Sequence, residues 1–405
     1  MATIHVPGTH STLAEAVEAA QEGDHIQLTG EVQAKELRIR KPLEISGGTI
    51  SGDGAFALGL FADINIHGTE ISHLGGHGVV IMAGSPTLAQ IKMRVGATAI
   101  ACGQSASPHI TGVHIQGCSI GLSAQDKAQP HMDNCMITSS GSAMFFRNES
   151  GGLISSTALS SGKMAAVEIT DQASPTLAGV AVVAGAAGGF FINQQATPKI
   201  AGCLIQRTGL AGLEVTDQAN PEVDGLMVKE GMAGGVFLHG ESTGTYLEME
   251  VHDCALSAVE VSEKAKPEME RTLLKGGGGG GLFVQDEAVL ESIDLVVDGV
   301  LFQALEAAGE SQVMLENAKM TGSGSFGVYS RDKSKVQLVG CEISGGREWG
   351  VRIQDAAVLA MEGGRIDDNY LGAVLGSGGG QVLVDNKTEL KGTQSMLERS
   401  GVTRA

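Results

Sequence analysis

From residue 143 the pattern of apolar and polar positions repeats every 23 residues. Four-residue blocks begin at Ala143, Ala166, Gly189, Gly212, Gly235, Ala258, Gly281, Ala304, Gly327, Gly350 and Ala373. Each block opens on Gly or Ala, and its second and fourth residues are almost always apolar. That alternation is the period of a half-buried strand. A fixed short repeat of strands implies a stacked solenoid, in which residues one period apart lie above one another.

Further columns share the period. Proline stands at 42, 86, 108, 130, 175, 198, 221 and 267. Its fixed φ and missing N–H suit the first residue of a strand after a corner. Asp63 fills the gap between Pro42 and Pro86; beyond Pro267 the place passes to Leu290, Val313, Val336, Leu359 and Val382. Two residues before it, small residues recur from Ala106 through Ser150, Ser242, Ser311 and Ser334 to Ala357, as a tight corner requires. Two residues earlier again lies a polar turn column: Asp126, Asn148, Asp171, Gln194, Asp217, Gly240, Glu263 and Asp286. Each rung reads strand, tight corner, strand, looser turn and often a third short strand. The count from Lys41 to Val384 is roughly 15 rungs at about 4.8 Å each.

The N-terminus departs from the repeat. The stretch opening Ser11-Thr-Leu-Ala-Glu begins with a capping residue and puts Leu13, Val17 and Ala20 on one helical face. A strand from Gly23-Asp-His-Ile-Gln-Leu and a second from Leu37 follow. Thr12 to Asp24 and Lys41 to Gly47 resemble the opening of the right-handed parallel β-helix proteins of the pectin-lyase-like class. The resemblance covers nearly the whole chain. It implies an all-β, right-handed parallel β-helix solenoid with a short N-terminal capping helix. Residues 1–40 are then cap and first rung, 41–385 the repeats and 386–405 a C-terminal cap or tail, with a short helix around Gln394–Arg399, in one domain overall. The class holds polysaccharide lyases, glycoside hydrolases, sugar epimerases and non-enzymatic recognition domains.

Composition narrows the partners. A formal charge of −19 without a basic stripe argues against nucleic acid. No apolar run approaches a membrane span, and the first residues lack the pattern of a secretory leader. The six cysteines at 102, 118, 135, 203, 254 and 341 stand singly and read as buried thiols. With reduced thiols, the expected location is the cytoplasm, export without a cleaved leader staying open. The glycines at 276–281 lack the Gly-Lys-Ser/Thr of a phosphate loop. No cofactor is indicated.

Candidate chemistry sits on the third residue of each block, which faces outward. The column reads Phe145, Glu168, Phe191, Glu214, Phe237, Glu260, Phe283, Glu306, Tyr329, Arg352. Rings and carboxylates alternate in a chain with 3% aromatic residues. Interposed rings relieve repulsion between glutamates on neighbouring rungs. The same column is a binding surface for a protein or a polysaccharide: rings stack, carboxylates accept hydrogen bonds, and an apolar stripe also suits a homo-oligomer contact. The alternative is a carbohydrate-active enzyme of the class. Glutamates two rungs apart stand about 9.6 Å apart by strand spacing, near the inverting-glycosidase separation. A uniform ladder, however, supplies no distinguished acid–base pair, and the catalytic strings of the class are missing, so no catalytic residue is assigned.

Weaker groupings carry less. His109 and His131 stack on adjacent rungs without an evident third ligand, and His114 lies beyond reach. Glu248, Arg271 and Asp294 form a surface ion column. Glu222, Asp224, Glu250, Glu268, Glu270 and Glu291 crowd one side of the middle rungs as a solvated acidic face, with calcium as the rival use. No metal ligand is assigned.

Overall fold

The computed structural model describes residues 2–391 and 402–404. It is a parallel β-solenoid of about 17 turns. Part of the excess over 15 lies at the ends, where His25–Ile39 stacks below Glu44–Leu60. Thr3–Val6, before the helix, already pairs in parallel with His25–Ile39, and Val402–Arg404 pairs with Val382–Val384. Neither segment belongs to the repeat, so counting periods misses both. Residues 394–399, where a short helix is expected, lie outside the described residues.

The helix spans Leu13–Ala19. Its N-cap is Thr12, whose hydroxyl accepts the Glu15 N–H at 3.2 Å while the Glu15 carboxylate accepts the Thr12 N–H at 3.3 Å. This reciprocal box satisfies two otherwise orphaned donors. Leu13, Ala16 and Val17 are buried.

The chain divides into two compact units. One comprises Met1–Phe191 with Gln195–Leu204; the other comprises Ile192–Gln194 with Ile205–Ala405. In the first unit three ladders run turn upon turn. Examples are His109–Thr111 in the first ladder, His114–Cys118 in the second and Ile120–Ala124 in the third, each paired in parallel with its equivalent one turn on. Inward residues stack as like on like: Ile45, Ile66, Leu88, Ile110, Met132 and Ile154 are all buried. The second unit repeats the plan, with Glu222–Asp224, Met227–Lys229 and Leu213–Val215 opening its ladders. All six cysteines are free and buried. Among the described residues no helix is long and apolar enough to cross a membrane.

The corner columns explain the polar sequence between strands. From Pro86 on, proline stands one residue before the strand rather than in its first place, whereas Pro42 and Asp63 lie one residue too early for the column, whose places there are held by Leu43 and Ile64. The Pro108 carbonyl accepts the His131 N–H at 2.8 Å, so the residue serves the ladder as acceptor only. The small-residue column is fully buried. The polar turn residues have φ between 56° and 60° at Asp126, Asn148, Asp171, Gln194, Asp217 and Glu263. Asp and Asn tolerate this left-handed conformation better than most. Their side chains also bond the same corner one turn back. Asp171 accepts the Asn148 N–H at 2.7 Å, and Asp286 accepts the Glu263 N–H at 3.0 Å. These corner carboxylates are therefore part of the fold.

Candidate functional site

The stripe is built by the third ladder. Met144–Phe146, Val167–Ile169 and Phe190–Ile192 each bury two residues and leave the middle one half-exposed. In the second unit the same holds from Leu213–Val215 to Val328–Ser330, and Trp349–Ile353 holds Arg352 half-exposed. All ten column residues are thus half-exposed on the outer wall. Phe145 is in register with Glu168. In the second unit the register runs Glu214, Phe237, Glu260, Phe283, Glu306, Tyr329, Arg352.

A second column, two residues further along, was not singled out in the sequence. After each ring it carries a long polar group: Arg147, Asn193, His239, Gln285, Arg331. After each glutamate it carries a small residue: Thr170, Thr216, Ser262, Ala308. In the second unit the long group reaches back over the small one to the carboxylate below. His239 Nε2 lies 3.3 Å from Glu214 Oε1, Gln285 donates to Glu260 Oε1 at 3.1 Å, and Arg331 Nε donates to Glu306 Oε1 at 3.0 Å. Gln303 also donates to Glu306. Thr216 Oγ1 is 3.2 Å from His239 Nδ1, and the His239 ring stacks on Phe237 at 4.2 Å. In the first unit Ser142 donates to Glu168 at 2.5 Å, and the Arg147 guanidinium lies 5.8 Å from the Phe145 ring centre. The alternation is therefore a two-turn unit: a ring and its donor, then a carboxylate and a gap for that donor. Burial raises the Glu260 pKa, and the Gln285 bond and nearby His239 charge partly offset that rise.

Two further features flank the stripe. In the second unit several of the loose turns before the third-ladder strands expose apolar side chains, among them Leu210, Met232 (78%), Leu256 and Phe302. Their sequence signal, single apolar residues among glycines, has no strand-like alternation. In the first unit the stripe column continues toward the N-terminus as Val80, Ala101 and Ser123, in register with Phe145. Small residues there leave a cleft of about 450 Å³. Val80, Ala101, Ser123 and Phe145 of the column line it, together with His77, Met82, Ile120, Gln125 and Arg147.

The other groupings stay modest. The His109 and His131 rings stack at 5.3 Å. Arg271 pairs with Glu248 and Glu270, and no ion pair joins it to Asp294 among the described residues. Glu222, Asp224, Glu268, Glu270 and Glu291 share the outward face of the first ladder, whereas Glu250 stands on the second ladder 2.9 Å from His252 Nε2. Among the described residues no group of three or more His, Cys, Asp or Glu is placed to hold a metal ion.

The model of the right handed beta helix region matches residues 98–249 and 167–301, which together take in half of the chain. The chain belongs to the right-handed β-helix family. Solved structures similar to this β-helix protein include a double mutant of the periplasmic alginate epimerase AlgG, with 10% identity, 83% of this chain and 84% of that one covered, and a TM-score of 0.44. The catalytic unit of a thermostable GH87 α-1,3-glucanase from Streptomyces thermodiastaticus strain HF3-3 has 12% identity, coverages of 96% and 65%, and a TM-score of 0.31. Bacteriophage CBA120 tailspike protein 3 has 12% identity, coverages of 100% and 61%, and a TM-score of 0.29. At such scores none of the three bears on what this β-helix protein binds. No curated protein matches the sequence.

Proposed function

We propose that this β-helix protein is a recognition module that holds a polysaccharide chain against its third ladder. The observation that carries the reading is the cleft beside Phe145, in line with the ring-and-carboxylate column. It is concave and lined mainly by apolar groups, and it carries a few convergent polar ones: Ser123, Gln125, Arg147 and His77. That combination is the usual character of a small-ligand site. The column supplies the same pair of groups every second turn, about 9.6 Å apart by strand spacing. A repeating surface suits a repeating ligand. Glu168, two turns of the same unit away from Ser123, keeps acceptor capacity beyond its bond from Ser142, free for sugar hydroxyls. Among the described residues no carboxylate lines the cleft, and the acid–base pair of glycoside chemistry needs two, which favours recognition over cleavage.

The test is a panel of neutral and acidic polysaccharides screened by affinity electrophoresis. Ser123→Trp, which fills the cleft, abolishes retention by the polymer that binds. Phe145→Ala weakens it about fivefold, the worth of one aromatic contact. Retention unchanged in Ser123→Trp, or no polymer retained by the parent chain, sinks the reading. A protein partner is the second reading, favoured by the apolar side chains exposed along the loose turns of the second unit.

A further inference from the structure

The outward face of the first ladder in the second unit carries a groove that the stripe does not use. Its origin is the corner column. In this unit Pro221, Gly244 and Pro267 precede the strands Glu222–Asp224, Thr245–Leu247 and Glu268–Glu270, each three residues long. From Leu290 onward that place is held by branched aliphatic residues, Leu290, Val313, Val336 and Leu359, and the strands lengthen to five residues: Val289–Ile293, Gln312–Glu316, Lys335–Val339 and Val358–Glu362. Five-residue strands present three outward columns where three-residue strands present two. The faces of parallel sheets are usually covered. Here Ile293 and Met314 remain 44% and 40% exposed. Two adjoining hollows of about 300 and 320 Å³ share Glu291 and Met314.

The charge around this apolar floor has one sign at its N-terminal end. Glu268, Glu270, Glu291 and Glu316 rim the first hollow, and among the described residues no basic side chain lines it. Glu270 pairs with Arg271, whereas Glu268, Glu291 and Glu316 make no ion pair among the described residues. Glu268 and Glu291 are directly in register on neighbouring turns. Like charges so placed repel. The stripe puts a ring between successive glutamates; this face does not. A cation lying between them would turn the repulsion into attraction.

We propose that this groove docks a polypeptide segment of a protein partner in which lysine or arginine alternates with aliphatic residues. The aliphatic side chains and the methylene stems of the bases lie over Ile293 and Met314, and the cationic heads meet Glu268, Glu291 and Glu316. The site is on a different ladder from the stripe, so a failed polysaccharide screen leaves it standing.

The experiment measures binding of a fluorescent Leu-Lys alternating peptide to the full chain by anisotropy, across a salt series. A Ser-Lys peptide of equal charge is the comparison. The Leu-Lys peptide binds at least about tenfold more tightly than Ser-Lys, as buried apolar surface requires. Glu268→Gln/Glu291→Gln weakens it about tenfold and flattens the salt dependence, and Ile293→Ser weakens it with the salt dependence kept. Glu342→Gln/Glu348→Gln removes the same charge elsewhere on this unit and changes affinity by less than about twofold. Absence of binding, equal affinity for the two peptides, or equal loss in both double variants overturns the proposal, the last two because net charge alone would then explain the attraction. Thermal melts of each variant establish that the fold is retained.

Discussion

Replacing Gly235 by alanine destabilises the protein, and replacing Val251 by leucine in the same chain restores part of the loss. A Cβ at 235 would stand 2.3 Å from Val251 Cγ1, 2.6 Å from the Ala258 carbonyl oxygen and 3.3 Å from Cys254 Sγ. Overpacking of this kind costs about 1–3 kcal/mol. Against it, alanine restricts the unfolded chain and returns about 0.4–1 kcal/mol. The net loss is about 1–2 kcal/mol. Leucine at 251 moves the branch from Cβ to Cγ and opens the space beside 235, although the Ala258 carbonyl stays in place. The chain has made this exchange repeatedly. Glycine stands sixteen residues before Val228, Val251, Val297, Ile343 and Ile366, while alanine stands sixteen before Leu159, Leu274 and Met320. At Gly212, Gly281, Gly327 and Gly350 an added Cβ would meet the β-branched partner at 2.2–2.5 Å. Ala166 precedes Val182, but in a strand that carries an extra residue just after it. Stability of the two single variants and the double is read from urea denaturation by circular dichroism. Hydrogen exchange at 236–238 accompanies it, because a solenoid need not unfold in one step. A coupling of at least about 1 kcal/mol between the sites is expected. Full stability of Gly235→Ala, or a double variant no better than the sum of its parts, refutes the reasoning.

Three other outcomes follow from the same packing. Ser311→Ala raises stability by up to about 1 kcal/mol, because the buried hydroxyl has no partner, whereas Ser334→Ala lowers it by a similar amount, because that hydroxyl lies 2.9 Å from the Arg331 carbonyl and 3.1 Å from that of Ala307; thermal melts of the pair must move in opposite directions. Glu260→Gln is more stable than the parent at neutral pH and indistinguishable in strong acid. Burial raises the folded-state pKa of Glu260, so ionising it costs stability that is absent below the unfolded carboxylate range and complete above the folded value; melts across the acid range check this. Burial pushes the Cys102 thiol up to about 12 and those of Cys118 and Cys135 to about 11. The native protein should therefore leave these three thiols unmodified by a disulfide reagent at mildly alkaline pH, and the denatured chain should react at all six cysteines.

The parts of the candidate site that could be read early are those that depend on strand alternation. Phe237 and Glu260 face outward because Val236, Leu238, Val259 and Val261 face inward, and a fixed period stacks them in register. The donors His239, Gln285 and Arg331 share that period but lie beyond the strand ends. Their role shows only when a side chain is seen to reach back one turn. The cleft beside Phe145 was hidden for another reason. Ala101 and Ser123 line it, and a hollow is made by what small residues omit. Asp171 and Asp286 read as generic turn residues until their left-handed backbone and bonds to the previous corner were in view.

Repetition in the amino-acid order therefore determined the coil, its stacked columns, its buried core and the outward direction of the ring-and-glutamate line, because a regular ladder turns spacing along the chain into position in space. Tertiary structure decided where that surface becomes concave, which carboxylates are already bonded, and that the strands lengthen once aliphatic residues replace proline and glycine at the corner. These depend on side-chain length and on contacts between turns, and a one-dimensional period carries neither.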